Sequence, residues 1–150
     1  MMVVFRKLDR DDMPAAAKVH RTSFDMRLPW LAQLHTPEED RGHWSGHLFA
    51  TCDIWGAERD GALLGIIAFR EDWIDQLYIL PNAQRQGIGT RLVDIAKAAY
   101  PKLSLWTFQR NAAARRFYEA RGFVEIRQTD GTANEEKEPD VLYRWRITTE

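Results

Sequence analysis

Cysteine is almost missing from this 150-residue chain: Cys52 stands alone. No intramolecular disulfide can form, and there is no C-x-x-C pair for zinc or redox work. Long apolar runs are missing as well. No uncharged stretch approaches the ~20 residues a membrane helix needs. The N-terminal "MMVVFRKLDRDDM" turns charged at Arg6, too early for the apolar core of a signal peptide. Neither sign of charge dominates: 21 basic and 22 acidic residues leave a net charge of −1. That balance offers no general attraction to nucleic acid or to a membrane surface. The expectation is a cytoplasmic protein with neither kind of partner. Internal repeats, low-complexity tracts and linkers are also lacking.

What is present is enough apolar material, 45% of the residues, to fill the core of a single domain over residues 1–150. Residues 3–8 read as a strand and 10–24 as a helix, with Asp11 or Asp12 near its cap and Pro14 in its first turn. Residues 25–35 read as an irregular, apolar connection. Thr36, Pro37 and Glu39 form a capping-box pattern that opens a helix over 36–49. Residues 52–58 and 62–71 flank "RDG" as a hairpin, and 72–80 form a further strand stopped by Pro81. Ile88, Leu92, Ile95 and Ala99 recur at helical spacing within 84–100. Residues 102–109 alternate as a strand. Asn111 caps and Gly122 stops a short helix, and two strands close the chain. This order implies an α/β protein with a mixed sheet and helices on its faces.

The stretch "QRQGIG" (84–89) lies between a strand and a helix. Helix-start N–H groups lack intrahelical partners and sit at the positive end of the helix dipole, so they attract anions. Glycines there let a ligand approach the main chain. The nucleotide P-loop pattern is absent, and the dinucleotide fingerprint fails because Leu92 fills its third glycine position. The spacing that fits is Q-x-x-G-x-G, from Gln84 through Gly87 to Gly89. "LYILP" (77–81) stands directly before it. Asn111, Ala114, Phe117, Tyr118, Glu119, Gly122 and Phe123 then fill a pattern N-x-x-A-x-x-F-Y-E-x-x-G-F.

Together these motifs resemble the GNAT superfamily of N-acetyltransferases, over residues 72–126. The resemblance implies a mixed, mostly antiparallel sheet of about seven strands with about four flanking helices. It implies acetyl-CoA as cosubstrate, no metal, and direct attack by a primary amine in a ternary complex. Its pyrophosphate loop falls on Gln84, Arg85, Gln86, Gly87, Ile88, Gly89 and Thr90. Leu77, Tyr78 and Ile79 would present main-chain groups to pantetheine and to the thioester oxygen. Tyr118 would be the acid for the departing thiolate, or else Phe117-Tyr118 is an aromatic packing pair. Asn111 would lie beside the pantetheine as well as cap its helix. Arg115 or Arg116 would meet a CoA phosphate, unless solvated. Asp75 is the candidate base, with Glu71 as its substitute.

The resemblance also directs attention to the region between the first strands, which builds the acceptor pocket in the family. Trp30, His35 and Trp44 are the pocket candidates there, with core packing as the other reading. His43 and His47 are four apart but lack the intervening glutamate of a metal motif. The acidic loop 130–140 is either a solvated face or a lip for a cationic amine. The aromatics of 30–44 favour a small amine over a protein lysine or N-terminus. A non-catalytic acyl-CoA-binding module is the alternative from another class. Pairing of the last strands into a homodimer is compatible with the sequence, which does not demand it.

Overall fold

The computed structural model describes residues 2–32 and 34–148. Seven strands form one sheet in the order β1-β2-β3-β4-β5-β7-β6. They are β1 (Val4–Lys7), β2 (Asp53–Arg59), β3 (Ala62–Arg70), β4 (Asp72–Ile79), β5 (Lys102–Phe108), β6 (Val124–Thr129) and β7 (Asp140–Arg146). Every pairing is antiparallel except β4 with β5. This is the mixed sheet that the element order implied, and it is mostly antiparallel with seven strands as the family resemblance implied. The β2–β3 hairpin turns through Asp60 and Gly61, both at positive φ (55° and 81°), as an Asp-Gly turn between twisted strands should.

Helix α1 (Met13–Arg27) carries Pro14 in its first turn and runs three residues past the expected end. Asp12 stands at the α1 N-cap position, within the expected pair, but its side chain makes no cap bond there. Asp9 caps a 3-10 turn over Arg10–Asp12, and Asp12 returns the bond to the Asp9 N–H. The buried side chains of α1 include Ala16, Ala17 and Ser23, small enough to let the helix lie close on the sheet. Helix α2 (Pro37–Gly42) starts with the expected capping box, Thr36 with Glu39. It then passes into a π-helical stretch, His43–Leu48, and ends as the short α3 (Phe49–Thr51). The Phe49 N–H reaches back five residues to the Trp44 carbonyl, so the spacing of this segment is wider than 3.6 per turn.

Helix α4 (Ile88–Ala99) buries Ile88, Leu92, Val93 and Ala96. The expected stripe therefore swings onto Val93 and Ala96, and Ala99 is exposed. Helix α5 (Ala112–Ala120) is capped by Asn111, whose side chain accepts the Ala114 N–H at 3.2 Å. One core cluster, with Phe69, Leu92, Leu103, Phe123 and Tyr143, lies on the α4 and α5 side. The other, with Met13, Trp44, Leu48, Ile54 and Ile66, lies on the α1 and α2 side. Each large apolar side chain so buried contributes about 1.5–3 kcal/mol.

Candidate active site

The parallel pair β4–β5 holds together only at Asp72↔Leu103 and Trp73↔Ser104. Beyond these the strands part, although β4 continues to Ile79 and β5 to Phe108. The Leu80 N–H bonds the Leu64 carbonyl of the β3 side at 2.8 Å. The register keeps Tyr78↔Ile66 and Leu77↔Ile67 in step. Antiparallel alternation then turns the N–H groups of Leu77 and Ile79 away from β3, into the gap facing β5. The gap is therefore edged by main chain in want of a partner strand.

The gap leads to the start of α4. Arg85 (φ 66°) and Gly87 (φ 79°) curl the main chain there, and the N-cap residue, Gly87, has no side chain to cap the helix. The N–H groups of Ile88, Gly89 and Thr90 are left for an anion. The two glutamines have a bracing role. Gln84 accepts from Arg27 (3.1 Å) and donates to the Ile79 carbonyl (3.2 Å). Gln86 accepts from Arg59 (3.1 Å). At Gly89 a Cβ would stand 3.1 Å from two ring atoms of Phe117, so α4 and α5 approach too closely there for a side chain.

A cleft of about 410 Å³ joins these features. Of the residues expected at the site, it is lined by Leu77, Tyr78, Ile79, Gln84, Arg85, Gly87, Ile88, Gly89, Thr90, Asn111, Phe117 and Tyr118. Tyr118 is 8% exposed, and burial holds its hydroxyl well above the ordinary phenol range. Burial does the same to Tyr78, and the neighbouring Tyr118 adds to it. The opposite wall comes from α1 and the residue after it: Ser23, Phe24, Arg27 and Leu28. Sequence reasoning singled out none of these four. The Ser23 hydroxyl is buried without a hydrogen-bond partner among the described residues. One turn back, the His20 ring stacks on Tyr78 with centroids 4.3 Å apart. His20 Nδ1 accepts the Trp44 indole N–H at 2.9 Å, and burial drops the imidazole to about 4. His20 is therefore neutral, with its proton on Nε2.

Several expected residues lie elsewhere. Asp75 is not on the cleft. Its carboxylate takes a forked ion pair from Arg70 (2.7 and 3.1 Å) and the Cys52 thiol (3.2 Å). Glu71 lines a separate hollow of about 630 Å³ with Cys52, Arg70 and Trp73. Burial pushes the Cys52 thiol up to about 11, which keeps it protonated at neutral pH. Arg115 is tied to the Tyr143 hydroxyl and to Glu125, away from the cleft, and Arg116 is exposed. Gln86 braces the loop from outside the cleft lining. Trp44 is fully buried, so it is core rather than pocket wall.

Trp30 and His35 instead join two loops. Trp30 donates to Glu138 at 3.0 Å with Arg110 stacked over its ring at 3.9 Å. His35 meets Glu135 at 2.9 Å. The connection after α1 is thus fastened to the acidic loop between β6 and β7. Arg121, unnoticed in the sequence, lines the cleft beside Thr90. Among the described residues no group of three metal-ligating side chains occurs, and no helix is long and apolar enough to cross a membrane.

Comparison with known proteins agrees with this geometry. The acetyltransferase (GNAT) domain family matches residues 50–125. The probable N-acetyltransferase Rv2775 of Mycobacterium tuberculosis is 34% identical over 103 residues, 63% of this chain and 55% of that one. The peptidyl-lysine N-acetyltransferase YiaC of Escherichia coli is 36% identical over 75 residues, 49% of this chain and 51% of that one. The chain thus spans about half the length of these curated relatives. Among solved structures, PaiA N-acetyltransferase of Thermoplasma acidophilum, in complex with coenzyme A, superimposes with a TM-score of 0.75 at 20% identity. That match covers 98% of this chain and 100% of the other. YncA of Salmonella typhimurium with acetyl-CoA gives 0.74 at 14% identity over 100% and 96%. The splayed strands, the uncapped glycine-bearing helix start and the family match over half its residues lead to one conclusion: this chain belongs to the GNAT acetyltransferase family.

Proposed function

We propose that the protein transfers acetyl from acetyl-CoA to a primary amine by direct attack in a ternary complex. The observation that carries this reading is the continuous cleft from the β4–β5 gap to the open start of α4, with Tyr118 in its wall. Phosphates suit the amides of Ile88 to Thr90, and the pantetheine arm suits the strand edge at Leu77 and Ile79. The amine must arrive neutral, against an ordinary alkylammonium value of about 10.4. Its nitrogen attacks the thioester carbonyl, and a C–N bond forms while main-chain N–H groups of β4 receive the oxyanion. The C–S bond then breaks, and one amine proton ends on sulfur.

Burial bears on the last step. A tyrosine above its usual value of about 10 stays protonated at working pH, but it yields its proton reluctantly to a thiolate of about 8.5. Tyr118 therefore acts first as a hydrogen-bond donor to the departing sulfur and relays a proton only as the amine gives one up. Asp75, held by Arg70, is not assigned as the base.

For the acceptor, the loops fastened by Trp30–Glu138 and His35–Glu135 favour an amine on a slender chain, a small molecule first. The 36% identity to a peptidyl-lysine acetyltransferase favours a second reading, a lysine side chain of a protein. Calorimetry with acetyl-CoA, with ATP and NAD as controls, tests the cosubstrate. Thiol release from acetyl-CoA, with small amines or lysine peptides added, tests catalysis. Binding without amine-dependent release would leave a non-catalytic acyl-CoA-binding module instead.

A further inference from the structure

Arg121 ends α5, and its guanidinium has four attachments. Its Nη1 donates to the Phe117 carbonyl at 2.8 Å. Its plane lies over the Phe117 ring, 3.7 Å from the centroid. Its Nε donates to Thr90 Oγ1 at 2.9 Å, and Nη2 donates to the same oxygen. Thr90 stands in the first turn of α4, next to Gly89, and both Thr90 and Arg121 line the cleft. A threonine hydroxyl has two acceptor lone pairs and one O–H donor. Arg121 occupies both lone pairs. The hydroxyl proton is thereby directed away from Arg121, and no protein acceptor takes it among the described residues.

We propose that Arg121 is a positioning residue that holds the Thr90 hydroxyl as a dedicated phosphate donor. The same contact brings a fixed positive charge to the α4 start, reinforcing the N–H groups of Ile88, Gly89 and Thr90. The ligand class is a diphosphate-bearing cosubstrate, and the inference rests on the acetyl-CoA reading above. Arginine suits the task because its planar fork sends Nε and Nη2 to one oxygen while Nη1 holds the helix carbonyl. A lysine ammonium has no such fixed fork. The role is one of affinity and phosphate recognition, not of bond making.

The test is a double-mutant cycle of Thr90→Val and Arg121→Gln, read by calorimetry with CoA and with pantetheine, which lacks the phosphates. Thr90→Val keeps the shape and removes only the hydroxyl. It is expected to weaken CoA roughly tenfold, the size of one hydrogen bond to a charged group. Arg121→Gln is expected to weaken CoA by at least as much and to lower the salt dependence of binding. In the Arg121→Gln background the further effect of Thr90→Val should shrink to about twofold, because the two act in series. Pantetheine binding should stay within about twofold of wild type. Additive effects, equal losses for pantetheine and CoA, or unchanged CoA affinity in folded Thr90→Val would each overturn the proposal. Failure of the wild-type protein to bind CoA would instead remove the reading beneath it.

Discussion

Replacing Gly89, first by alanine and then by glutamate, separates the shape of the cleft from its charge. An alanine Cβ would stand 3.1 Å from Cε1 and Cζ of Phe117, against an ordinary carbon–carbon contact of about 3.5–4.0 Å. The ring is poorly placed to retreat, since Arg121 covers one face at 3.7 Å and Tyr118 packs edge-on at 5.2 Å. The clash must open the α4–α5 approach by a few tenths of an ångström, an overpacking that costs about 1–3 kcal/mol. Against it stands the helical advantage of alanine over glycine, about 1 kcal/mol at most. The expected net change in stability is a loss of up to about 2 kcal/mol, with acetyl-CoA affinity down roughly tenfold as the amides move. Glutamate adds a negative charge beside the phosphates. At about 5 Å each phosphate charge repels it by roughly 1–3 kcal/mol, depending on exposure. Two such charges weaken binding by roughly thirtyfold to more than ten-thousandfold, less at high salt. Thermal unfolding checks that each variant folds, and calorimetry reads the affinity. A folded Gly89→Glu protein with wild-type affinity would refute the placement of phosphates at α4.

Three further outcomes are expected. Tyr118→Phe should bind acetyl-CoA normally and turn over more than tenfold slower at neutral pH, and unchanged turnover would end its role at the sulfur. His20, lowered from 6.5 to about 4 in the folded protein, gives stability that is fully present above pH 6.5 and is lost as pH falls toward 4, because the unfolded chain takes the proton first. The loss is up to roughly 3 kcal/mol, and urea unfolding across that window should show a shallower slope in His20→Gln. Ser23→Ala removes an orphaned buried hydroxyl from a helix. It should leave the unfolding midpoint equal or higher by a few degrees; a clear fall would mean the hydroxyl has a partner after all.

The element order, the Asp60-Gly61 hairpin, the Thr36 box and the Asn111 cap were readable because each rests on neighbours in the chain. The uncapped, glycine-bearing start of α4 was readable for the same reason. What escaped depends on distant packing. A register shift between Ala68 and Phe69, opposite Gln76 and Ile74, leaves Asp75 beside Arg70 and Cys52, which no local spacing announces. Trp44 went into the core, the alternative reading left open for it, whereas the resemblance had pointed to a pocket wall. Ser23, Phe24, Arg27 and Leu28 reach the cleft only because α1 crosses β4, more than ~50 residues along the chain. Arg121 carries no sequence signal of its own, because its bond to Thr90 spans 31 residues.

The two residue pairs that join β4 to β5 also bear on how the molecule comes apart. They are the sheet's one seam between β1–β4, from the first half of the chain, and β5, β7 and β6, from the second. Elsewhere the strands are laced along most of their lengths. A ligand lying along Leu77 and Ile79 would act as the missing rung, so occupancy should tighten the seam and not merely fill a hole. Amide hydrogen exchange at Leu77 and Ile79 should be fast in the free protein and slow when the cleft is filled. The two half-sheets, able to open separately before, should then unfold as one cooperative unit at a higher temperature.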